Sequence, residues 1–229
     1  NFGPAAVPQT VRGFFNANRA DFELDDTDTL FASAGDDYSA SEDVFSAYLM
    51  GSVDINALRI VAGVRVEDTQ FDTTGNQIDE DVESVTSVSA ENAYTDWLPS
   101  VNLRYEAAEN VIVRGAYYAS ISRPNLAQTA PRIVIDDDDE AEAGNPDLDR
   151  QQAQNFDLMV EYYPTEDAVI SGGVFYKSID NLIATFVDDN PGQLNGADIN
   201  ELTTFANIDE ADLLGFEFNY QQALTMLPS

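Results

Sequence analysis

The chain has 229 residues, with 42 Asp and Glu against 10 Lys and Arg and a formal charge of −32. A surface this acidic repels phosphate and excludes nucleic acid as a partner. Without Cys or His there is no disulfide frame, no thiolate or imidazole metal site and no Ser-His-Asp catalysis, so any metal must be a hard cation held by oxygen.

No run of about 18 apolar residues occurs, so no transmembrane helix is predicted. Residues 1–10 lack the basic start and apolar core of a signal peptide, and the abrupt ends lead us to expect a fragment or a trimmed chain. Residues 1–41 are rich in Asp, Ser, Ala and Gly and follow no clean period. They are read as an extracellular loop or irregular segment with a short strand or two.

From residue 42 the apolar period becomes two, the mark of a half-buried strand. Phe45, Ala47, Leu49, Gly51, Val53 and Ile55 share one face. The tight turn Asn56-Ala57 leads to Leu58, Ile60, Ala62, Val64 and Val66. A polar stretch, 68–92, is read as two strand extensions and a long loop. Trp97, Val101, Leu103 and Tyr105 follow, then Val111, Val113, Tyr117 and Ile121. A second long loop runs from 122 to about 150. Beyond it stand Phe156, Leu158, Val160 and Tyr162, then Ile170, Val174 and Tyr176 after the turn at Pro164. A third polar loop, 180–210, precedes Leu214, Phe216, Phe218 and Tyr220.

Short turns at 56–57, 106–110 and 164–167 thus alternate with long connections. Such loops count against a compact soluble domain but are expected of an outer-membrane barrel, with short turns on one side and long loops on the other. Tyr105, Tyr162 and Tyr220 stand on the apolar face just before short turns, as one aromatic girdle would. Trp97 lies about 20 Å higher at the usual rise and tilt, near the height of the apolar band. Arg59, Arg65, Arg104, Arg114, Asp157, Glu161, Lys177 and Glu217 occupy the opposite face and are predicted to face a lumen. A solvated sandwich face would carry the same charges, so polarity alone does not separate the two.

The segments SRPNLAQTAPR (122–132), GNPDL (144–148), QQAQNFDLMVEYYP (151–164) and GGVFYK (172–177), in that order and spacing, resemble the C-terminal barrel of TonB-dependent outer-membrane receptors. Residues 44–67 and 96–105 also resemble its strands, in wording similar to the receptors of Caulobacter- and Xanthomonas-type bacteria linked to carbohydrate uptake. The resemblance, over about 42–222, implies an all-β, antiparallel up-and-down meander. Residues 42–229 would supply about seven or eight strands of a ~22-stranded transmembrane barrel. It further implies outer-membrane lipid, a plug domain elsewhere in the same full-length chain and the TonB complex as partners. The implied function is import of a ligand, an oligosaccharide or a siderophore-like compound, bound at extracellular loops in a Gram-negative outer membrane. The alternative is a non-transporting acidic β protein, an adhesin or carbohydrate-binding module.

No catalytic residue and no cofactor is predicted. Asp157 and Glu161, four apart on one strand face, stand about 13 Å apart, too far for a glycosidase pair. Two sites are weighed. Arg123, Asn125, Gln128 and Arg132, at the mouth of the second long loop, offer planar groups to a sugar or a carboxylate, or else pin the loop to its acids. Asp136, Asp137, Asp138, Asp139 and Glu140 are enough oxygens for Ca²⁺, but adjacent carboxylates do not all point at one centre, and a solvated charge run is the simpler reading.

Overall fold

The computed structural model describes residues 8–22, 26–79, 84–136, 138–194 and 196–223. The chain opens with helices α1 (Pro8–Ala17) and α2 (Asp26–Asp36), followed by strands β1 (Ser39–Ile55), β2 (Leu58–Asp79), β3 (Ser84–Ala108) and β4 (Val111–Ser122). The first long connection holds the one-turn helix α3 (Leu126–Thr129), β5 (Ile133–Ile135) and β6 (Glu140–Ala143). Strands β7 (Gln151–Thr165) and β8 (Ala168–Asp180) follow. The second connection contains β9 (Leu182–Asp188), β10 (Gly192–Leu194), β11 (Ala197–Ile199) and β12 (Glu201–Ile208), and β13 (Ala211–Gln222) closes the series.

Seven strands, β1-β2-β3-β4-β7-β8-β13, pair antiparallel in chain order and form one wall. The registers align the two faces as the alternation requires. One outer row runs Gly51–Ala62–Val101–Tyr117–Phe156–Tyr176–Leu214. The next row toward the turns runs Val53–Ile60–Leu103–Gly115–Leu158–Val174–Phe216. These side chains are not a core: Leu49 is 77% exposed, Phe216 79% and Phe218 77%. In water so large an apolar surface marks an interaction face; on a β wall whose other face is charged, it is a lipid face.

The upper edge of the apolar belt is stepped. On β1 it reaches Phe45; on β13 it stops at Leu214, which lies in the row of Gly51, six residues lower along β1. Six strand-to-strand steps separate the two, so the belt drops one residue per strand. A rise of ~3.3 Å over a spacing of ~4.8 Å is a strand tilt of about 35°, the tilt of a closed barrel wall. The tyrosines mark the belt's edges. Tyr117 Oη donates to Gln154 Oε1 at 2.6 Å and Tyr176 Oη to Asp212 Oδ1 at 2.7 Å. Gln154 and Asp212 both lie in the first polar row above, so the rings sit in the belt and the hydroxyls leave it. At the lower edge, Tyr162 and Tyr220 share a row with Ile170, and Tyr220 bonds Gln222 one row below.

The turn end is tight. Asn56, at φ 53°, makes the two-residue turn between β1 and β2, where Asn tolerates the left-handed backbone a hairpin needs. At the other end β2 and β3 do not stop at the belt. They continue as a paired arm, Asp68↔Thr95 up to Asp79↔Ser84, so the stretch 68–92, read as two strand extensions and a long loop, is strand throughout its described part. Beside the arm, β5 pairs parallel with β2, β6 antiparallel with β5, β12 parallel with β6 and β9 antiparallel with β12. Among the described residues, two hydrophobic clusters of buried residues lie in this roof. Ile135, Ala141 and Ile199 form one; Phe31, Ala34 and Ile78 form the other.

The second cluster corrects the expectation for residues 1–41. This segment holds two α-helices, a 3-10 turn at Arg19–Asp21 and no strand before Ser39 among its described residues. Val11, Phe14 and Phe15, and again Leu30, Phe31 and Ala34, stand three to four apart, which is the helical period. Phe31 and Ala34 of α2 pack on Ile78 of the arm, and Asn76 Nδ2 donates to the Ala34 carbonyl at 3.0 Å.

Candidate functional site

The site with built chemistry is the level at which the wall passes from belt to roof, on the face opposite the lipid face. Glu67 of β2, just beyond Val66 at the belt edge, is 9% exposed. Arg65 Nε donates to Glu67 Oε1 at 2.6 Å and Arg123 Nη2 to Glu67 Oε2 at 2.6 Å. Hydrogen bonds from Arg65 and then Arg123 hold the Glu67 carboxyl below its ordinary value, against burial, which acts the other way. Arg123 also donates to Thr69 Oγ1 at 3.1 Å and lies 3.1 Å from Glu42 Oε1. Arg65 reaches Ser46 Oγ at 2.7 Å. One guanidinium from the 123–150 connection is therefore clamped between β1 and β2.

A second clamp sits alongside. Arg150, the last residue before β7, places Nη2 2.7 Å from Asp96 Oδ1 of β3 and stacks over the Tyr94 ring with 4.6 Å to its centroid. Gln152 Nε2 donates to the same Asp96 oxygen at 3.1 Å. Asp96 is 2% exposed, a burial that a carboxylate tolerates only with such partners. Burial raises the Tyr94 phenol above its ordinary value. Both ends of the 123–150 connection are thus tied to the wall by charge-assisted bonds.

Between the clamps the connection is a folded unit. Asn125 and Gln128 cap α3 reciprocally, Gln128 Oε1 accepting from Asn125 N at 3.0 Å. Asn145 N donates to the Gln128 carbonyl at 2.7 Å, and Asn145 Nδ2 to the Phe205 carbonyl at 2.8 Å. Gly144 has to be glycine, because a Cβ there would sit 2.0 Å from the Ala130 carbonyl oxygen. Leu148, 2% exposed, lies with Phe71, Tyr94, Pro124, Leu126 and Thr129 around one small cleft. The SRPN and GNPDL segments are two halves of this latch.

The sequence-predicted residues fall as follows. Arg123 holds Glu67 and Glu42 rather than the acid run. Asn125 and Gln128 serve α3. Arg132 donates to the Gly35 carbonyl at 3.1 Å and lies 3.7 Å from Glu142. Of the acid run, Asp137 lies outside the described residues. The others form the β5–β6 turn: Asp136 Oδ1 accepts from the amides of Asp138 at 3.0 Å and Glu140 at 2.9 Å, and Asp139 is at φ 61°. Among the described residues no three acids converge as a metal-holding group. The eight residues assigned to the charged face do share one face. Asp54, Arg59, Arg104, Arg114, Met159, Gly173 and Glu217 even form a single row. Arginines directly opposite repel, and acids relieve them: Arg104 Nη1 is 2.5 Å from Glu106 Oε1, Arg114 Nε 2.8 Å from Glu161 Oε1 and Arg59 Nε 3.8 Å from Asp54 Oδ1. Asp96 and Arg150 were missed. Their signal was a lone Asp beside a belt-edge Trp and a lone Arg opening a strand.

Three solved structures share this architecture. The hemophore receptor HasR of Serratia marcescens, solved as a double mutant with its hemophore HasA and heme, is 14% identical, with a TM-score of 0.58 over 78% of this chain and 31% of its own. The ferric-catecholate import receptor Fiu of E. coli K12 is 14% identical, TM-score 0.57, over 82% and 26%. The FrpB iron transporter of Neisseria meningitidis is 16% identical, TM-score 0.52, over 92% and 27%. The chain thus spans between a quarter and a third of their length. No curated protein sequence matches it. Residues 1–227, including the helical segment that the resemblance left out, match the family described as TonB dependent receptor-like, beta-barrel. With its tilted wall, lipid face and roof of long connections, the chain belongs to the TonB-dependent receptor β-barrel family of the Gram-negative outer membrane.

Proposed function

We propose that this chain is the ligand-gathering part of an active importer, in which a ligand is captured beneath the roof and carried inward with TonB-coupled energy. The observation that supports the reading is the asymmetry of the wall. One end is closed by tight turns, while the other carries 28 residues (123–150) clamped at both ends by Arg123 and Arg150. A connection that merely joined two strands would need no such anchorage; one that holds a binding surface at a fixed height does. The plug domain and the TonB complex complete the machine in this reading, and siderophore-like and oligosaccharide ligands both suit a polar roof. The test is uptake by cells expressing the full-length receptor, with and without a functional TonB complex. Ligand accumulation that requires both the receptor and TonB is expected. Binding at the cell surface with no TonB-dependent uptake would overturn import and favour the adhesin reading.

A further inference from the structure

We infer that the ligand carries no net negative charge: the roof selects an uncharged or cationic hydrogen-bond donor and repels anionic chelates. This rests on the import reading above and narrows its substrate class. The roof's charge is one-sided. Residues 68–95 contain seven acids and no Lys or Arg, and residues 181–210 contain six acids and no Lys or Arg. Residues 123–150 contain eight acids and three arginines, and each of the three is already spent. Arg123 lies between Glu67 and Glu42, Arg132 reaches Glu142 and the Gly35 carbonyl, and Arg150 sits on Asp96. No guanidinium of these connections is left to meet a ligand carboxylate or catecholate.

An independent observation points the same way. On the charged face of the wall, two side-chain oxygens among the described residues are buried without a partner: Asp96 Oδ2 and Asn155 Oδ1, in residues each 2% exposed. Both are acceptors. The amide nitrogen of Asn155 is already committed to the Tyr118 carbonyl and to Ser120 Oγ, at 3.0 and 3.1 Å. Asn155 lines a cleft with Tyr118, Asp157, Glu217 and Lys177, in which two carboxylates outnumber one ammonium. What completes these atoms is a donor, a hydroxyl or an ammonium group. The third unpartnered atom, Arg123 Nε, is a donor that lies 3.1 Å from a Glu42 oxygen. A field of one net sign between low-dielectric walls raises the local concentration of opposite charge about tenfold or more, and lowers that of like charge correspondingly.

The chain contains no Cys, so a thiol introduced here is unique in this segment. Leu126→Cys, exposed on α3, and Thr86→Cys, exposed on the arm, are made in the full-length receptor with any other cysteines replaced, and held in detergent. Each is modified with a cationic and an anionic methanethiosulfonate of equal size, with free cysteine as the reference. The cationic reagent is expected to react about tenfold or more faster at low ionic strength, with the preference collapsing at 1 M salt, where screening acts within ~3 Å. A normalised ratio at or below one overturns the inference. In parallel, cells expressing the receptor are offered iron as a tri-anionic catecholate chelate, iron as a cationic hydroxamate chelate, and a neutral oligosaccharide. Receptor-dependent uptake of the tri-anion also overturns it. A high thiol ratio with no TonB-dependent uptake of any probe would sink the import reading and leave the charge selection standing, so the two failures are distinguishable.

Discussion

Replacing Arg123 with Gln should free the 123–150 connection from the wall without unfolding the wall. Arg123 makes one short charged bond to a buried carboxylate, Glu67, and weaker contacts to Thr69 and to Glu42, whose side chain is a third exposed. A hydrogen bond to a charged group contributes about 1.5–3 kcal/mol, and a partly exposed pair at most about 1. Glu67 keeps Arg65 at 2.6 Å, so the 3–5 kcal/mol of a stranded buried charge is not reached. The net is about 2–3 kcal/mol, or roughly 30- to 140-fold in local opening. Hydrogen–deuterium exchange of the full-length receptor reads this directly. Amides of residues 126–148 should exchange faster by that factor, while β4 and β7 stay protected. Arg65→Gln is the control: it removes an equally short bond to the same carboxylate, but from a residue inside β2, and should leave the loop's exchange unchanged. The clamp also has a pH signature. The Glu67 carboxyl is depressed in the folded state, so its contribution is present above the ordinary carboxyl value of 4.5 and is lost as pH falls below it. Loop exchange should therefore rise below about pH 4.5 in the parent and less so in Arg123→Gln. Unchanged exchange in Arg123→Gln, or equal acceleration by Arg65→Gln, would refute the clamp.

Two further substitutions test the latch and the belt. Gly144→Ala drives a Cβ into the Ala130 backbone carbonyl at 2.0 Å, which cannot swing aside as a flexible side chain would, and should cost at least about 1–3 kcal/mol. Rapid proteolytic nicking within 126–148 is expected, whereas Gly172→Ala in the wall, whose nearest contact is 3.9 Å, should resist like the parent; equal resistance of both would contradict the latch. Phe216→Arg places a charge in the belt at a cost of about 2–4 kcal/mol. Asn219→Arg, on the charged face of the same strand in the row of Glu161, should stay within about 0.5 kcal/mol. Urea unfolding of the receptor in lipid vesicles compares the two, and equal costs would mean that the faces have been assigned the wrong way round.

The wall was legible because one rule governs it. A period of two is a local property, and the membrane demands it on every strand, so Leu58–Val66 and Phe156–Tyr162 could be read alone. The roof was not, because its strands answer to one another rather than to a common solvent. Residues 84–93 carry Ser, Thr, Ala and Asn where a core strand would carry large apolar residues, and only pairing with 70–79 makes them a strand. β5 and β6 are three and four residues long, too short for periodicity to register, and beyond each other their partners, β2 and β12, lie far away in sequence. The arginines show the same limit. That Arg123 mattered was readable; that its acid was Glu67, 56 residues back, and not the five acids beginning 13 residues on, required the fold. Nearness in sequence favoured the wrong partner, and antiparallel register chose the right one.

The belt edge and the loop anchorage are one device. Asp96 and Trp97 are neighbours on β3, so alternation sends them to opposite faces. Trp97, 67% exposed, marks the lipid boundary outside, while Asp96, 2% exposed, receives Arg150 inside. Val66 and Glu67 repeat the pair on β2, in register with Trp97 and Asp96, with Arg123 as the inner guest. The side chains that must be polar to hold the roof occupy the first level at which the wall's other face stops being constrained by lipid. A clamp placed lower would set paired charges behind the belt, in the row where Arg59, Arg104 and Arg114 already need acids of their own. A clamp placed higher would hang the roof from the arm, whose described length is held by backbone pairing and by α2. The level of Glu67 and Asp96 is therefore where the roof can be fixed at a set height above the membrane without weakening the wall.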